Sequence, residues 1–494
     1  MKPRIVVLGG GIAGLAVSIG LVRHGYPVTL IERDPPPPAN PELDPFLAWK
    51  RRGVPQFRLP HGFSARARTL LAAHAPEVLD QLRADGIEEV NVFKTFIPPE
   101  LWEPSDEEFT VVWARRSAFE LALRRCAEAE PGITFLCPEV VDGLRFAPGE
   151  PGPPRVTGVR LADGRELAAD LVLDCGGGRS RVSRWLAAAG VHVQTDTQDC
   201  QTVYFSRYYR FTPGCALPKN AMLVRGELES LMYIGFPGDH DTFGLCLEVH
   251  PSENLQPLRN TWTWEAAARS IPALAPWIDP ANATPLAGVQ IMGGHHNVRR
   301  RFVVDGRPVV TGLLPVGDAL CTTNPAYGWG ASMALTYAFA AAEAVAAHDR
   351  DPVAMALAYD AATAAEADAV YRESAAMDRA RIYRITGQDV PEHDRAEMER
   401  QRLIAEGVAA GVLSDVELSR AFCRRINLTG PAEAVINNPE IVLRAEDNLR
   451  QLQAAPPAER GPGRAELREI VLAADARGGG VGEGEPARLE SSPA

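Results

Sequence analysis

The stretch Arg4–Arg33, RIVVLGGGIAGLAVSIGLVRHGYPVTLIER, decides the fold. It begins with an apolar run that leads directly into three consecutive glycines. An Ala-, Leu- and Ile-rich segment follows up to Arg23, and Gly25 stands where a helix would end. A second apolar run closes the stretch at Glu32. The order is strand, glycine turn, helix, strand and terminal acid, which predicts the first βαβ unit of a parallel sheet.

The glycines of this unit suit the approach of a dinucleotide. Gly9 permits the tight turn, Gly11 leaves the backbone open to a pyrophosphate, and Gly14 lets the helix pack close to the strand. The start of the helix, at Ile12 and Ala13, then offers free N–H groups and a partial positive charge to the phosphates. The sequence therefore predicts dinucleotide binding at this turn.

An acid and its neighbour complete the predicted cofactor site. Glu32 lies 18 residues after Gly14, about where such folds place the carboxylate that bonds a ribose hydroxyl. We expect Glu32 and the adjacent Arg33 to contact the cofactor. A secretory signal is the alternative interpretation, because Met1 and Lys2 precede an apolar stretch. The glycines interrupt that stretch and no small-residue cleavage site follows, so we reject it.

The composition bounds the class of protein. The chain has 494 residues, enough for two or more domains, and 46% of them are hydrophobic. A net charge of −12 gives no reason to expect nucleic acid as a partner. No uninterrupted apolar run approaches the length of a bilayer span, so we expect no integral membrane segment and a cytoplasmic protein. Eight cysteines without a C-x-x-C pair indicate reduced thiols and no metal site.

Three polar residues outside the first unit are candidates to face the cofactor. Gly and Pro are dense between residues 51 and 61, which predicts a loop that contains Gln56 and His61. Ordinary loop polar residues are the equal alternative for both. A later helix begins at Arg116, where a cation opposes the helix dipole. A negatively charged ligand nearby would resolve that conflict, and an exposed arginine is the alternative.

Two further glycine turns follow apolar runs. The first begins at Asp174 and includes Gly177, and the second begins at Gly317 and Asp318. The residues that connect this last turn to a long Ala-rich helix include Pro325, Tyr327, Gly328, Gly330 and Ala331. The glycines bring backbone amides to the start of that helix, which is a site for a partial negative charge.

Three glycine motifs in this order resemble the flavin-dependent monooxygenases of the para-hydroxybenzoate hydroxylase type, together with related flavin-dependent epoxidases and halogenases. The resemblance covers roughly residues 4 to 350. The Gly317-Asp318 pair is similar to the family's G-D motif, whose aspartate bonds the ribityl chain of FAD. Arg116 resembles the family's arginine near the FAD phosphates. Gln56 lies in a loop similar to one beside the isoalloxazine ring.

The resemblance implies an α/β fold with a Rossmann-like FAD-binding domain, built in three layers on a parallel sheet. We expect an inserted substrate domain with a mixed or antiparallel sheet, because residues 201–290 carry aromatic-rich, strand-like runs. A helical C-terminal region follows. The predicted limits are 1–195 and 300–350 for the FAD-binding domain, 196–299 for the substrate domain, 351–454 for the helical region and 455–494 for a disordered tail that holds a short helix near 466–474.

The middle motif departs from the hydroxylase pattern. Those enzymes usually carry an Asp-Gly pair, then a Ser and then an Arg. Here Gly176 and Gly177 replace the pair, Ser180 matches, and Ser183 stands in place of the arginine. The family's motif is linked to the use of NAD(P)H, so the source of electrons stays open. Asp174 resembles the D-x-x-G-x-x-S variant of halogenases and epoxidases, some of which take reduced flavin from a separate reductase. NAD(P)H would therefore reduce the flavin either directly or through such a reductase.

The resemblance implies an oxygenase that acts on a small apolar aromatic or alkene substrate with O₂. Reduced FAD would form a C4a-hydroperoxide that passes on one oxygen atom. Pro325 and Tyr327 would shape the oxygen side, the helix start at residues 328–331 would stabilise negative charge on the flavin, and His61 would take a polar role. A flavin-dependent reductase, dehydrogenase or halogenase of secondary metabolism is the alternative, and a non-catalytic flavin-binding protein is a remote one.

Overall fold

The computed structural model describes residues 2–149, 152–217, 224–430, 437–454 and 461–478. Its strands are β1 (Ile5–Leu8), β2 (Val28–Ile31), β3 (Glu88–Asn91), β4 (Thr110–Trp113), β5 (Ile133–Leu136), β6 (Val141–Phe146), β7 (Val156–Leu161), β8 (Glu166–Ala168), β9 (Leu171–Asp174), β10 (Gln194–Asp199), β11 (Val203–Phe211), β12 (Val224–Glu227), β13 (Leu231–Pro237), β14 (Thr242–Val249), β15 (Ala283–Pro285), β16 (Gln290–Gly293), β17 (His296–Arg301), β18 (Val303–Val304), β19 (Arg307–Pro308), β20 (Leu313–Pro315) and β21 (Cys321–Thr322).

The helices of the same part of the chain are α1 (Ile12–Arg23), α2 (Pro45–Ala48), α3 (Ala65–His74), α4 (Pro76–Ala84), α5 (Arg116–Ala129), α6 (Val182–Ala188), α7 (Thr261–Arg269), α8 (Gly330–His348), α9 (Pro352–Thr386), α10 (Arg395–Arg402), α11 (Val416–Asn427), α12 (Pro439–Ala454) and α13 (Arg464–Gly478).

A parallel sheet in the order β20-β9-β1-β2-β5 forms the middle of three layers. Its strands read as continuous apolar runs because both faces are covered. Ile5 and Val7 point to one side, where α1, α5 and α8 pack. Val6 and Leu8 point to the other side and pack against the antiparallel sheet β6-β7-β8. This three-layer arrangement confirms the predicted fold class.

Helix α8 bears on the expectation that no segment spans a membrane. By length and composition this 19-residue helix could cross a membrane. Within the protein it packs along α1, and 67% of its most apolar window is buried. A methyl group at Gly20 of α1 would lie 3.0 Å from the side chain of Ala342, so small side chains let the two helices approach closely. These are the contacts of a core helix.

A second, antiparallel sheet has the order β12-β13-β14-β11-β15, and β16 also pairs with β11. Its strands alternate between two environments. Phe205, Leu245 and Leu247 point to one face and form a core with α7 and α13. Tyr204 and Cys246 belong to the opposite face, together with a separate small apolar cluster. The sheet thus has one packed face and one face available to line a site.

The C-terminal region is helical, as expected. Helix α9 has 35 residues, and the Asp351 side chain caps it by accepting hydrogen bonds from the N–H groups of Val353 and Ala354 at 3.0 and 2.9 Å. The short helix expected near residues 466–474 is α13, which packs on α7. The rest of the predicted tail, residues 455–460 and 479–494, lies outside the described residues. The domain limits stay predictions.

Candidate active site

A cavity of about 820 Å³ lies between the carboxyl ends of the parallel strands and the open face of the antiparallel sheet. Ligands of open α/β sheets bind at this edge. All three glycine turns open into it. The predicted site residues on its wall are Gly9, Gly11, Ile12, Ala13, Glu32, Arg33, Gln56, His61, Arg116, Asp174, Gly177, Asp318, Pro325, Gly328, Gly330 and Ala331. Gly14 and Tyr327 are not on the wall.

The first glycine turn is tightly packed on one side and open on the other. Gly9 has a φ of +100°, and a Cβ there would lie 2.6 Å from the carbonyl oxygen of Cys175. A Cβ at Gly14 would lie 1.9 Å from the carbonyl oxygen of Gly9. Around Gly11 a Cβ would meet no atom within 4 Å, because this residue faces the cavity. Gly14 therefore acts through packing, and Gly11 leaves space for a ligand.

Glu32 is a charged, buried anchor at the end of β2. Its carboxylate accepts hydrogen bonds from the N–H groups of Gly10 at 2.7 Å and Asp34 at 2.8 Å, and Arg51 pairs with it at 3.0 Å. Burial alone would raise the pKa of Glu32, but the charge of Arg51 and the backbone donors lower it. Arg51 also pairs with buried Glu120. Sequence reasoning missed Arg51 in this role because a loop position does not signal a buried cation.

Arg116 and His61 form a pair at the cavity wall. Arg116 begins α5, donates from Nε to Glu120 at 3.2 Å, and donates from Nη1 to His61 Nε2 at 3.4 Å. His61 Nδ1 donates to the carbonyl oxygen of Leu59 at 2.8 Å. Burial, and then the charge of Arg116, lower the pKa of His61 to about 3. His61 is therefore neutral, and it orients Arg116 by accepting its hydrogen bond.

Asp174 lies on the cavity wall, yet its own turn occupies its carboxylate. One oxygen accepts from the N–H of Gly176 at 3.0 Å, and the other accepts from the Ser180 hydroxyl at 2.7 Å. Burial raises the pKa of Asp174, and these two donors oppose that effect. The observed contacts hold the shape of the second glycine turn, which is a different task from the direct cofactor contact that the sequence predicted.

Asp318 is a half-buried acid whose carboxylate faces the cavity without a hydrogen-bond partner among the described residues. Burial raises its pKa to about 6, although the charges of Arg116 and Arg300 lower it. Arg300, which sequence reasoning missed, donates at 3.2 Å to the backbone carbonyls of Asp318 and Ala319. The backbone of Asp318 is thus held in place while its carboxylate stays free to accept hydrogen bonds from a ligand.

The start of α8 opens into the same cavity. Gly328 has a φ of +72°, and a Cβ at Gly328 or Gly330 would meet no atom within 4 Å. Pro325 lies on the wall beside them. Tyr327 points elsewhere, because its hydroxyl donates to the buried Asp378 on α9 at 2.8 Å. This contact supports the turn from behind, and the catalytic role of Tyr327 stays a prediction.

The antiparallel sheet supplies an apolar wall from Ile234, Phe236 and Met292. Of the aromatic residues that the sequence placed in this domain, Tyr204 and Phe236 line the cavity, whereas Tyr209 and Tyr233 pack in the core on the other face. The Tyr204 hydroxyl is already engaged, since it donates to the side chain of Asn324.

Two polar atoms of this wall have no partner among the described residues. Glu248 is 5% exposed, its Oε2 makes no hydrogen bond, and burial raises its pKa to about 7. The Nε2 of His295 is also buried without a partner, and burial lowers the pKa of this histidine to about 4. Sequence reasoning missed both. The available signal was an acid on the small-residue face of β14, TFGLCLEV.

Comparisons with known proteins agree on the fold. No protein-family model matches the chain. The chain is 22% identical over 339 residues to 3-demethoxyubiquinol 3-hydroxylase from Escherichia coli K12, covering 67% of this chain and 76% of that protein. PqsL, "a probable FAD-dependent monooxygenase from Pseudomonas aeruginosa", superposes with a TM-score of 0.55 at 17% identity over 78% of this chain and 99% of PqsL. OxyS anhydrotetracycline hydroxylase from Streptomyces rimosus gives a TM-score of 0.56 at 17% identity over 87% and 76% of the two chains.

The chain has the fold of the FAD-dependent monooxygenases of the para-hydroxybenzoate hydroxylase type. The predicted resemblance is confirmed at this level.

Proposed function

We propose that this protein is a flavin-dependent monooxygenase that binds FAD in the 820 Å³ cavity and inserts one oxygen atom from O₂ into an organic substrate. The substrate presents an apolar aromatic ring or alkene to the flavin. One observation carries the proposal. Three separate glycine turns and the free carboxylate of Asp318 open into a single cavity whose far wall is an apolar sheet face.

The wall residues fit the parts of FAD in order. Gly11, Ile12 and Ala13 would receive the pyrophosphate at the start of α1, with Arg116 as a positive charge beside it. Glu32 would accept from the ribose. The unpartnered carboxylate of Asp318 fits a ribityl hydroxyl, because a buried acceptor without a donor is costly until a ligand supplies one. Gln56 would lie beside the ring.

When bound, FAD supplies electron transfer and the activation of O₂. The chain contributes binding, orientation and the exclusion of water. The N–H groups at the start of α8, near Gly328 and Gly330, would stabilise negative charge on a bound flavin ring. Pro325 and Phe236, which both line the cavity, would help to keep water from the bound ring. His61, neutral because of its low pKa, holds Arg116 toward the cofactor.

Electrons are proposed to come from NAD(P)H, either directly or through a separate flavin reductase. We also propose the domain division predicted from the sequence, with the substrate domain at residues 196–299. A cytoplasmic location fits the eight cysteines, all of which are free in the structure.

The first test is purification in the presence of FAD. A yellow protein with a flavin absorbance band is expected. NADH, NADPH or a supplied flavin reductase should then drive O₂ consumption with a panel of aromatic and alkene compounds, and isotopically labelled O₂ should place one labelled atom in the product. A protein that gains no flavin contradicts the proposal. Turnover that leaves no label in the product would favour a reductase or dehydrogenase.

A further inference from the structure

The buried acids of this protein follow a rule with one exception. Nine of the ten Asp and Glu residues that are buried in the described part of the chain have an ion pair or a hydrogen bond to the side chain. These nine are Glu32, Asp34, Asp106, Glu120, Asp174, Asp239, Glu253, Glu373 and Asp378. Glu248 has neither, and it is the one on the substrate side of the cavity.

The position of Glu248 is defined by the register of three strands. It lies directly opposite Tyr204 on β11 and Met232 on β13. Because side chains alternate along a strand, Glu248 shares the cavity-facing side with Cys246 and Tyr204. Ile234 is a further neighbour on that wall. The strand neighbours of this carboxyl group are therefore all apolar or neutral.

The charged groups around Glu248 do not neutralise it. Arg225 and Glu227 of β12, and Asp378 and Arg381 of α9, act on it with opposite signs. Arg381 is already committed to Asp378 at 3.0 Å. None of these groups is within ion-pair distance of Glu248.

Two further groups of this cavity wall are neutral. His295 is neutral at physiological pH, because burial lowers its pKa to about 4. The Tyr204 hydroxyl donates to Asn324, so it is not directed at Glu248. A buried carboxyl without a counter-charge is costly, since burial disfavours the ionised form. The missing partner is therefore best supplied by a ligand.

We propose that the cavity takes a substrate with a basic nitrogen, whose protonated amine pairs with the Glu248 carboxylate while its apolar part packs against Ile234, Phe236 and Met292. This proposal rests on the proposed function in one respect, namely that the apolar part of the substrate is the part oxidised. It adds the charge class of the substrate and the residue that selects it.

The test is isothermal titration calorimetry of the FAD-loaded protein with matched pairs of probes. The pairs are 2-phenylethylamine with 2-phenylethanol, and tryptamine with tryptophol. At pH 8 each amine should bind about tenfold more tightly than its alcohol, the ratio expected for one charge-assisted hydrogen bond. The variant Glu248→Gln should remove that preference and leave alcohol binding unchanged.

A control and a second measurement guard against a general effect. Glu253→Gln alters a buried acid of the same sheet domain that pairs with Arg464 at 3.4 Å and does not line the cavity, so the amine preference should persist. For the wild type, amine affinity should fall as the pH drops below about 7, because protonation removes the charge of Glu248.

Two results overturn the proposal: amines that bind no more tightly than alcohols in both pairs, which includes a lack of any binding, or a preference that survives in Glu248→Gln. Calorimetry reads binding without turnover, so this outcome is separate from that of the oxygenase proposal. A protein that prefers amines but inserts no oxygen contradicts only the oxygenase proposal, and an oxygenase without amine preference contradicts only this one.

Discussion

The two halves of the cavity wall are built by different means. On the side of the parallel sheet the wall is made of glycine turns and helix starts, and the buried acid Glu32 is neutralised by Arg51. On the side of the antiparallel sheet the wall is made of side chains, and the buried acid Glu248 has no counter-charge. Each half therefore relies on a different part of the polypeptide.

Two free carboxyls mark the same contrast within the cavity. Asp318 has its backbone held by Arg300, and its carboxylate faces the cavity on the side of the glycine turns. Glu248 projects from the middle of a strand toward the substrate space. A site that offers backbone N–H groups requires glycine at the point of contact, so the sequence shows it. A site that offers side chains depends on which strands meet in the fold, so the sequence does not show it.

The largest expected effect tests whether the cofactor half depends on backbone packing. The variant Gly14→Ala should destabilise the protein by roughly 3 kcal/mol, because its Cβ would lie 1.9 Å from the Gly9 carbonyl oxygen. Gly11→Ala is the matched control. Its methyl group enters open space, so the stability without FAD should change by less than about 1 kcal/mol. Denaturant unfolding without cofactor measures both, and equal losses would contradict the assignment.

The next effect concerns the free carboxyl of the cofactor half. Asp318→Ala should weaken FAD binding by roughly tenfold to a hundredfold, since hydrogen bonds to a charged acceptor are worth about 1.5–3 kcal/mol. Fluorescence titration of the FAD-free protein measures the affinity. Asp80→Ala, on the exposed surface of α4, should leave it unchanged. Unaltered affinity in Asp318→Ala would remove this residue from the cofactor site.

An effect of similar size concerns the free carboxyl of the sheet half. Burial raises the pKa of Glu248 to about 7 from 4.5, so the folded protein binds this proton more tightly than the unfolded chain. The free energy of unfolding therefore falls as the pH rises from about 4.5 to 7. Glu248→Gln should be more stable than the wild type by about 3 kcal/mol at pH 8 and equal to it near pH 4.

Thermal or denaturant unfolding of the ligand-free protein at the two pH values checks this difference. Glu253→Gln serves as the control, because its paired carboxylate should give no gain at pH 8. A Glu248→Gln variant that loses stability at pH 8 would mean that the carboxylate has a favourable partner after all.

The smallest expected effect tests whether Tyr327 acts at the cavity or only supports the turn behind it. In Tyr327→Phe the lost hydroxyl removes one of the hydrogen bonds to Asp378, which keeps donors from Asn297 at 2.7 Å and Asn324 at 2.6 Å. Stability should fall by about 1 kcal/mol. FAD affinity and turnover should stay close to those of the wild type, and a large loss of turnover would restore the catalytic role predicted from the sequence.

How much could be predicted differs between the halves. The positions of the glycine turns, the parallel sheet and the separate aromatic sheet domain followed from apolar runs and glycines, because these patterns are local. The identities of Gly9, Gly11 and Gly14 even indicated their separate packing roles. The contact of Tyr327 could not be predicted, because the direction of its side chain depends on Asp378, which is 51 residues away in the sequence.

The sequence by itself determined the dinucleotide-binding fold, which it shows through three glycine turns and the acid at the end of β2. Glycine is required there because a residue without a side chain is needed wherever backbone and ligand approach closely. Only the tertiary structure decided which charges are neutralised. Arg51 meets Glu32, Arg115 meets Asp239 at 2.6 Å, and Glu248 meets no cation, because pairing depends on contacts between distant segments. The local pattern of β14 shows an acid, but only the tertiary structure decides that this acid lies on the cavity wall without a cation beside it.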